Sequence, residues 1–158
     1  MKLFFKSIVL ITIAVYLSAC GFELRGNINT NLSSVAILGG TDSFSKLLKR
    51  RIMLSSIILK NPQEADKVIE IIQNSFKKNI LSLSGGGKVR EYELEYTVTY
   101  RFKSKKGEWG EPLYLEVIRE YTYDDDDLLA KDQEEEKLIN GMQFQLVKNI
   151  ITQISLSK

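Results

Sequence analysis

The sequence predicts an α+β fold: a two-layer sandwich with a mostly antiparallel, mixed four-stranded sheet and two helices packed on one face. Three observations lead to this prediction. Residues 91–102 alternate apolar and polar side chains with a period of two, residues 138–154 repeat apolar side chains at helical spacing, and the elements follow in the order β-α-β-β-β-α. Because an antiparallel sheet with one polar face needs cover on the other face only, two amphipathic helices complete the core.

The first strand and the first helix are predicted before residue 57. Ser34–Leu38 is a short apolar run that ends at a glycine pair, which is typical of a strand. The apolar residues that follow recur at helical spacing, so we predict a helix over about residues 42–56, ending before the turn signal Asn61-Pro62. Three N-cap candidates precede this helix: Thr41, Asp42 and Ser43.

Three long strands are predicted next. Residues 68–83 are rich in β-branched residues, and their apolar parity shifts along the run, which indicates a bulge. Ser84–Gly87 forms the loop tip. Leu113–Tyr123 is the third strand, and Trp109, near the turn before it, is predicted to be exposed. The second strand presents its apolar face through Tyr92, Leu94, Tyr96, Val98, Tyr100 and Phe102.

An acidic run and a long helix complete the chain. Leu128–Ile154 carries apolar residues on one face and is predicted to be helical. The run Asp124–Asp127 suggests a calcium site as one interpretation, because hard cations prefer carboxylates. It lacks the spaced ligands and the inner glycine of an EF-hand loop, which favours a solvated turn; no metal or cofactor is predicted.

The N-terminus has the features of an export signal. A positive segment that includes Lys2 and Lys6 precedes about ten largely apolar residues, too few to span a bilayer comfortably. Leu17-Ser18-Ala19-Cys20 then resembles the lipobox of bacterial lipoproteins, which implies cleavage before Cys20 and acylation of Cys20 as a lipid anchor. We therefore predict a signal peptide over 1–19, a lipidated tether over 20–33 and a single domain over 34–158. An uncleaved anchor, or an ordinary cleavage site beside Cys20, is the alternative.

Composition restricts the function classes. The chain has no histidine and a single cysteine, so Ser-His-Asp, Cys-His and zinc-hydrolase chemistry are disfavoured, and only a two-carboxylate glycosidase stays formally open. The whole sequence has 22 Lys+Arg and 20 Asp+Glu, and cleavage before Cys20 would remove two lysines and no acid. The mature chain would be balanced in charge, without the basic excess of a nucleic-acid-binding domain.

Three segments together are similar to the LPS-assembly lipoprotein family LptE. The first is Cys20–Gly26, where the family begins its mature chain with Cys-Gly-aromatic-x-Leu-Arg. The second is the glycine-rich turn followed by Glu91-Tyr92 and the alternating strand. The third is Leu129–Asp132, which opens the last helix after an aromatic strand end and an acidic turn.

The resemblance implies an outer-membrane lipoprotein that plugs a large β-barrel, the LPS-assembly protein LptD, and that binds lipopolysaccharide. Lys131 falls on the family's lysine near the start of the last helix. The family's hairpin arginine falls on or near Gly85, and Lys88 and Arg90 lie beside that position. Gly21 lacks the aspartate that commonly retains such lipoproteins in the inner membrane.

Other interpretations stay open at this point. Lys88 and Arg90 are also ordinary solvated residues for a strand end, and Lys131 also suits a balance with neighbouring acids. The main functional alternative is a free-standing lipid-binding or chaperone-like lipoprotein without a barrel partner. An enzyme of the cell envelope is the least favoured, because histidine is missing.

Overall fold

The computed structural model describes residues 32–39 and 42–157, which form a mixed sheet with two helices. The signal peptide, Cys20 and most of the tether therefore lie outside the described residues, and their prediction stays a prediction. The strand order is β2-β1-β3-β4-β5. The elements are β1 (Ser34–Leu38), α1 (Ser43–Met53), β2 (Ile58–Leu59), β3 (Lys67–Leu83), β4 (Val89–Ser104), β5 (Leu113–Thr122), a 3-10 turn (Asp125–Asp127) and α2 (Leu128–Leu156).

The α+β class and the mixed sheet are confirmed, but the prediction of four strands is wrong. A fifth strand, β2, adds two residues to the outer edge of β1. The Ile58 N–H donates to the Ser33 carbonyl at 3.0 Å, and the Lys60 N–H donates to the Val35 carbonyl at 3.0 Å. β1 is parallel to both neighbours, whereas β3, β4 and β5 are antiparallel. A two-residue strand is too short to show alternation in sequence.

Helix α1 is shorter at its C-terminus than the sequence predicted. Of the three cap candidates, Asp42 is the N-cap, and its carboxylate accepts a hydrogen bond from the Ser45 N–H at 2.9 Å. The same carboxylate accepts a hydrogen bond from the Asn74 side-chain amide on β3. Burial opposes ionisation of Asp42, but these hydrogen bonds outweigh it and lower its pKa. One side chain therefore joins α1 to the sheet.

Bulges explain the parity shift that the sequence shows in β3. The register against β4 shifts between Ile71 and Gln73, and again between Ile80 and Ser82. Ile72 is the extra residue at the first shift and is half exposed. After this bulge the apolar residues with even numbers, rather than odd ones, lie on the same face as the core residues of β4.

The main core lies between the sheet and the two helices. Tyr100 and Gln153 link β4 to α2 through their side chains, and the Gln143 amide donates to the Tyr96 hydroxyl at 3.1 Å. The predicted apolar faces of β4 and of the last helix are thus confirmed as core. The largest fully buried side chains include Phe44, Leu48, Ile52, Ile69, Leu94, Tyr100, Met142, Leu146, Ile150, Ile151 and Ile154.

The opposite face of the sheet is mostly polar and carries a small second cluster of buried residues. Ala36, Ala65 and Val68 are buried there, and Trp109 packs against them. The prediction that Trp109 is exposed is therefore wrong: its ring is partly buried, with the Arg101 guanidinium 4.7 Å from its centroid. The sequence does not show this contact, because the loop that carries Trp109 folds back over the sheet.

The two ends of the sheet differ. At the end that we call the hairpin end, the β3–β4 turn, the end of β5 and the start of α2 meet, and the Tyr123 N–H donates to the Arg90 carbonyl at 2.8 Å. At the opposite end, which we call the N-terminal end, β1 begins and α2 finishes. There the buried Lys67 ammonium donates to the Ser157 carbonyl at 2.5 Å, at the C-terminus of α2 where a cation is favoured.

Candidate functional site

The hairpin turn that the sequence singled out is well defined. The Ser84 N–H donates to the Lys88 carbonyl at 2.7 Å, and the Gly87 N–H donates to the Ser84 carbonyl at 2.9 Å. Gly87 has a φ of +79°, which glycine adopts without a steric cost. This turn presents Lys88 and Arg90 at the extremity of the molecule, where both are exposed.

Lys131 lies in the first turn of α2 and has an intramolecular partner. Its ammonium donates to Glu134 at 2.9 Å, and its side chain is 21% exposed. An anionic ligand at Lys131 therefore competes with Glu134. Since both residues lie on the surface of one helix, this pair contributes little to stability, and an anionic ligand can displace Glu134 at a small cost in free energy.

The fold brings the predicted basic residues to one end of the molecule. Arg90 is joined to Tyr123 by a backbone hydrogen bond, and Tyr123 is followed directly by the 3-10 turn and by α2. Lys131 thus belongs to the same hairpin end as Lys88 and Arg90, although 40 residues separate the two segments in sequence. We call these three residues the basic set.

A second cluster, which the sequence analysis missed, lies beside the basic set and fastens α2 to the sheet. The Lys78 ammonium on β3 is 2.5 Å from a carboxylate oxygen of Glu135, and the Tyr121 hydroxyl donates to the same oxygen at 2.5 Å. The ammonium lies 4.1 Å from the Tyr92 ring centroid and 5.9 Å from that of Tyr123. We call these five residues the lysine cluster.

The aromatic side chains of the lysine cluster also contact one another. The Tyr92 and Tyr121 rings are stacked with centroids 5.8 Å apart, and the Tyr123 ring meets Tyr92 edge-on at 5.1 Å. Rings in these arrangements attract each other and attract a cation above their faces. The lysine cluster therefore combines an ion pair, a hydrogen bond and cation–π contacts around Lys78.

The contacts in the cluster shift the pKa values of Lys78, Glu135 and Tyr121. Burial disfavours the charged form of Lys78, but its bonds to Glu135 and Tyr121 outweigh burial, so its pKa is raised. Burial likewise opposes ionisation of Glu135, and the contacts with Lys78 and Tyr121 lower its pKa below the ordinary 4.5. Burial and the neighbouring carboxylate raise the pKa of Tyr121 to about 12. At neutral pH the pair is therefore fully charged.

One sequence signal could have revealed Lys78. Lys78 lies between Phe76 and Ile80 in the alternating pattern of β3, and all three side chains are on the same face of the sheet. A lysine among apolar residues of the same parity indicates a half-buried cation that needs a partner. Its partner Glu135 lies 57 residues away, and no local pattern identifies it.

The acidic run forms a turn. The Asp126 N–H donates to the Asp124 carboxylate at 3.1 Å, which caps the 3-10 turn before α2. In residues 32–39 and 42–157 no three side chains from His, Cys, Asp and Glu are grouped so that they could hold a metal ion. A search of the helices in the same residues finds none with the length and apolar content of a membrane span.

The uncovered face of β4 is lined by polar pairs. Lys77 is 3.2 Å from Glu95, the Asn79 amide donates to Glu93 at 3.4 Å, and the Ser82 hydroxyl donates to Glu91 at 2.5 Å. On the adjacent β5, Tyr114 and Ile118 are exposed on this same face. The face is therefore a polar, hydrogen-bonding surface with two apolar residues near one edge.

Comparison with solved structures first gives the class of protein: the chain has the fold of a bacterial lipoprotein domain. It is 32% identical to an uncharacterised lipoprotein B of Nitrosomonas europaea, covering 85% of this chain and 90% of that chain with a TM-score of 0.72. It is 26% identical to the rare lipoprotein B of Shewanella oneidensis (77% and 93% covered, TM-score 0.66). It is 25% identical to a minor lipoprotein of Acinetobacter baumannii (78% and 91% covered, TM-score 0.62).

The family follows from a second comparison. Residues 30–154 match the model of the family described as LptE, lipopolysaccharide-assembly. The match covers most of the sequence, and the chain belongs to this family. A search of curated proteins gives no match. The resemblance that the sequence analysis noted is thereby confirmed.

Proposed function

We propose that this protein is an outer-membrane lipoprotein, anchored through Cys20, that plugs the LptD barrel, assists its assembly and binds lipopolysaccharide on its way to the outer leaflet. Membership of the lipopolysaccharide-assembly family over residues 30–154 carries the proposal. We also propose that the protein has no catalytic activity, since the chain lacks histidine and the family acts in assembly.

The ligand role is supported by the position of the basic set. Lipid A carries phosphates on its sugars, and lysine and arginine are the side chains that bind phosphate. Lys88, Arg90 and Lys131 come from two distant segments and lie at one end of the molecule. A phosphorylated head group at the hairpin end would replace Glu134 as the partner of Lys131.

The partner role is supported by the uncovered sheet face. The interior of a large membrane barrel is polar, and the pairs along β4 give this face a matching polar character. Tyr114 and Ile118 add apolar area of the kind found at protein interfaces. We propose that this face lies against the barrel wall.

Co-purification from outer membranes in mild detergent, followed by mass spectrometry, tests the partner role. We expect a complex of about one to one with a large β-barrel. Recovery of the lipidated, folded protein alone would contradict the plug and would favour the free-standing lipid-binding or chaperone-like alternative.

Titration of the purified protein with lipopolysaccharide tests the ligand role. We expect Lys131→Glu to weaken binding about tenfold, the effect of losing one charge-assisted hydrogen bond. Lys137→Glu is the matched control, because it makes the same charge change on the same helix at an exposed position. Equal affinity of the two variants would remove Lys131 from the site.

A further inference from the structure

Large apolar side chains are exposed at the N-terminal end of the molecule. They come from the end of α1 and the residue after it, from β2, and from the last residue of α2. Their exposed fractions rank among the highest for large apolar residues in the described chain: Met53 69%, Leu54 73%, Ile58 60% and Leu156 78%.

Strand register and hydrogen bonds place these residues at one end. Ile58 is paired with Ser34, the first residue of β1, and its N–H donates to the Ser33 carbonyl at 3.0 Å. Helix α1 begins beside Asn74 on β3 and returns so that Met53 precedes β2 by a few residues. Lys67 holds the end of α2 at this same end, so Leu156 lies there too.

Helix α1 brings concentrated positive charge to this end. Between Ser43 and Met53 it has four basic residues and no acid, although the mature chain as a whole would be balanced. Arg50 and Arg51 lie in its last turn, and the buried Ile52 separates them from the exposed Met53 and Leu54. A groove of about 490 Å³ lies between the two helices, and Lys46, Leu47, Arg50 and Phe144 are among the residues that line it.

The position of Ser33 relates this end of the molecule to the predicted lipid anchor. The segment that leads to Cys20 joins the domain at Ser33, beside Ile58. Cys20 and Ser33 are thirteen positions apart, so the chain between them spans at most about 45 Å when it is fully extended. Acyl chains on Cys20 would therefore keep the N-terminal end within that distance of the bilayer, whereas the hairpin end lies farther from the anchor by the length of the 17-residue strand β3.

We propose that the N-terminal end is a membrane-contact surface, on which the exposed apolar residues enter the interface of the bilayer that holds the acyl chains while the cations of α1 bind anionic phospholipids. The proposal rests on the proposed lipidation of Cys20. Apolar residues beside several cations are the combination by which peripheral surfaces bind anionic membranes. The bilayer contact is separate from the basic set, which lies at the other end.

A fluorophore placed at residue 58 tests the contact. Acylation would consume the chain's single cysteine, so the introduced residue in Ile58→Cys is the only free thiol for a polarity-sensitive label. The full-length lipidated protein is reconstituted in phosphatidylethanolamine–phosphatidylglycerol vesicles that contain a lipid spin-labelled near the head group. Leu83→Cys is the matched control, because Leu83 is 56% exposed and lies at the hairpin end.

We expect a blue shift and strong quenching for the label at residue 58 and neither for the label at residue 83. In the same labelled protein, Lys49→Glu with Arg50→Glu should reduce quenching to the level seen on neutral phosphatidylcholine vesicles. Lys137→Glu with Lys148→Glu changes the net charge equally from α2 and should leave quenching unchanged.

Two results would overturn the proposal, and flotation of the protein with the vesicles distinguishes them. Equal quenching at residues 58 and 83, in protein that floats with the vesicles, shows that the domain has no preferred contact although its anchor works. Protein that does not float with vesicles lacks the acyl anchor, which overturns the predicted lipidation and this proposal with it. Neither result depends on the barrel partner or on lipopolysaccharide.

Discussion

The two halves of this domain are held together in different ways. In the half nearest the N-terminal end, the first residues of β3 and α2 from Met142 onwards contribute fully buried side chains. In the half nearest the hairpin end, neither β3 from Ile72 to Leu83 nor α2 from Leu128 to Gly141 contributes a buried residue. There the buried side chains come from β4 and β5, Leu138 and Ile139 of α2 are only partly buried against them, and the lysine cluster adds polar contacts that join the helix to the sheet.

The difference separates stability from binding. Apolar burial contributes most of the free energy of folding, whereas partly exposed ion pairs contribute little. The half with few buried contacts is therefore expected to open at a lower free-energy cost than the whole domain. The basic set lies in that half, so the residues proposed to bind lipopolysaccharide can adjust without unfolding the core.

The largest effect is expected from a truncation in the core. Ile150→Ala removes a fully buried side chain and should lower the free energy of unfolding by about 2–5 kcal/mol. Ile80→Ala makes the same change at a residue that is 59% exposed, and should change it by about 0.5 kcal/mol or less. Urea denaturation of both variants measures the contrast, and similar losses would mean that the two halves do not differ.

A smaller effect is expected from the lysine cluster. Glu135→Gln keeps the shape of the side chain but removes the counter-charge of Lys78, whose side chain is 32% exposed, and also weakens the Tyr121 hydrogen bond, which together should cost about 1 kcal/mol or slightly more. Hydrogen exchange should become faster in Leu128–Gly141 while protection from Met142 onwards is kept. Glu136→Gln is the control, because Glu136 is exposed on the same helix. Faster exchange along the whole of α2 would show that the helix opens as one unit.

The same contrast explains what the sequence could predict. Period-two alternation in β4 and helical spacing in α2 are local consequences of burial on one face. The core and the order of the elements could therefore be predicted from the sequence. Strand β2 was missed because two residues show no period. The bulge was predicted from the parity shift, and its position at Ile72 required the register against β4.

The sequence predicted less of the candidate site than of the core. Family resemblance pointed to Lys88, Arg90 and Lys131, and the fold places them at one end. The lysine cluster was missed because its members come from β3, β4, β5 and α2, and its central ion pair joins residues 57 positions apart. Polar contacts of this kind depend on the tertiary fold and leave only a weak local signature, here a lysine at a core-parity position.

An intermediate effect, smaller than that of the lysine cluster, is expected at Asp42, which joins α1 to β3 near the boundary between the two halves. The Asp42 carboxylate caps α1 and also accepts a hydrogen bond from Asn74. Asn74 lies on β3, three residues after Ile71, the last buried residue of that strand. Asp42→Ala should cost about 1 kcal/mol, since both bonds are lost. Asp42→Asn retains an oxygen that can cap the helix and should recover most of that loss. Thermal unfolding distinguishes them, and an equally unstable Asp42→Asn would assign the effect to the charge rather than to the cap.

The smallest effect is expected from pH, and its sign follows from the lysine cluster. Because the pKa of Glu135 is lowered, its contribution to stability is complete above its ordinary value of 4.5 and is lost only as pH falls through the lower value of the folded state. Because the pKa of Lys78 is raised, its contribution is complete below its ordinary value of 10.5 and is lost only above that value. The cluster should therefore stay intact between these two limits.

Near-ultraviolet circular dichroism of the tyrosines follows the cluster during an acid titration. We expect a constant signal from about pH 7 to about pH 5 and a loss only at lower pH, since the ordinary pKa of glutamate sets the upper limit of the transition. Glu135→Gln should remove that transition, because its side chain does not ionise. A tyrosine signal that falls in Glu135→Gln at the same pH as in the unsubstituted protein would assign the transition to other carboxylates. The hairpin end would then be no more sensitive to acid than the core.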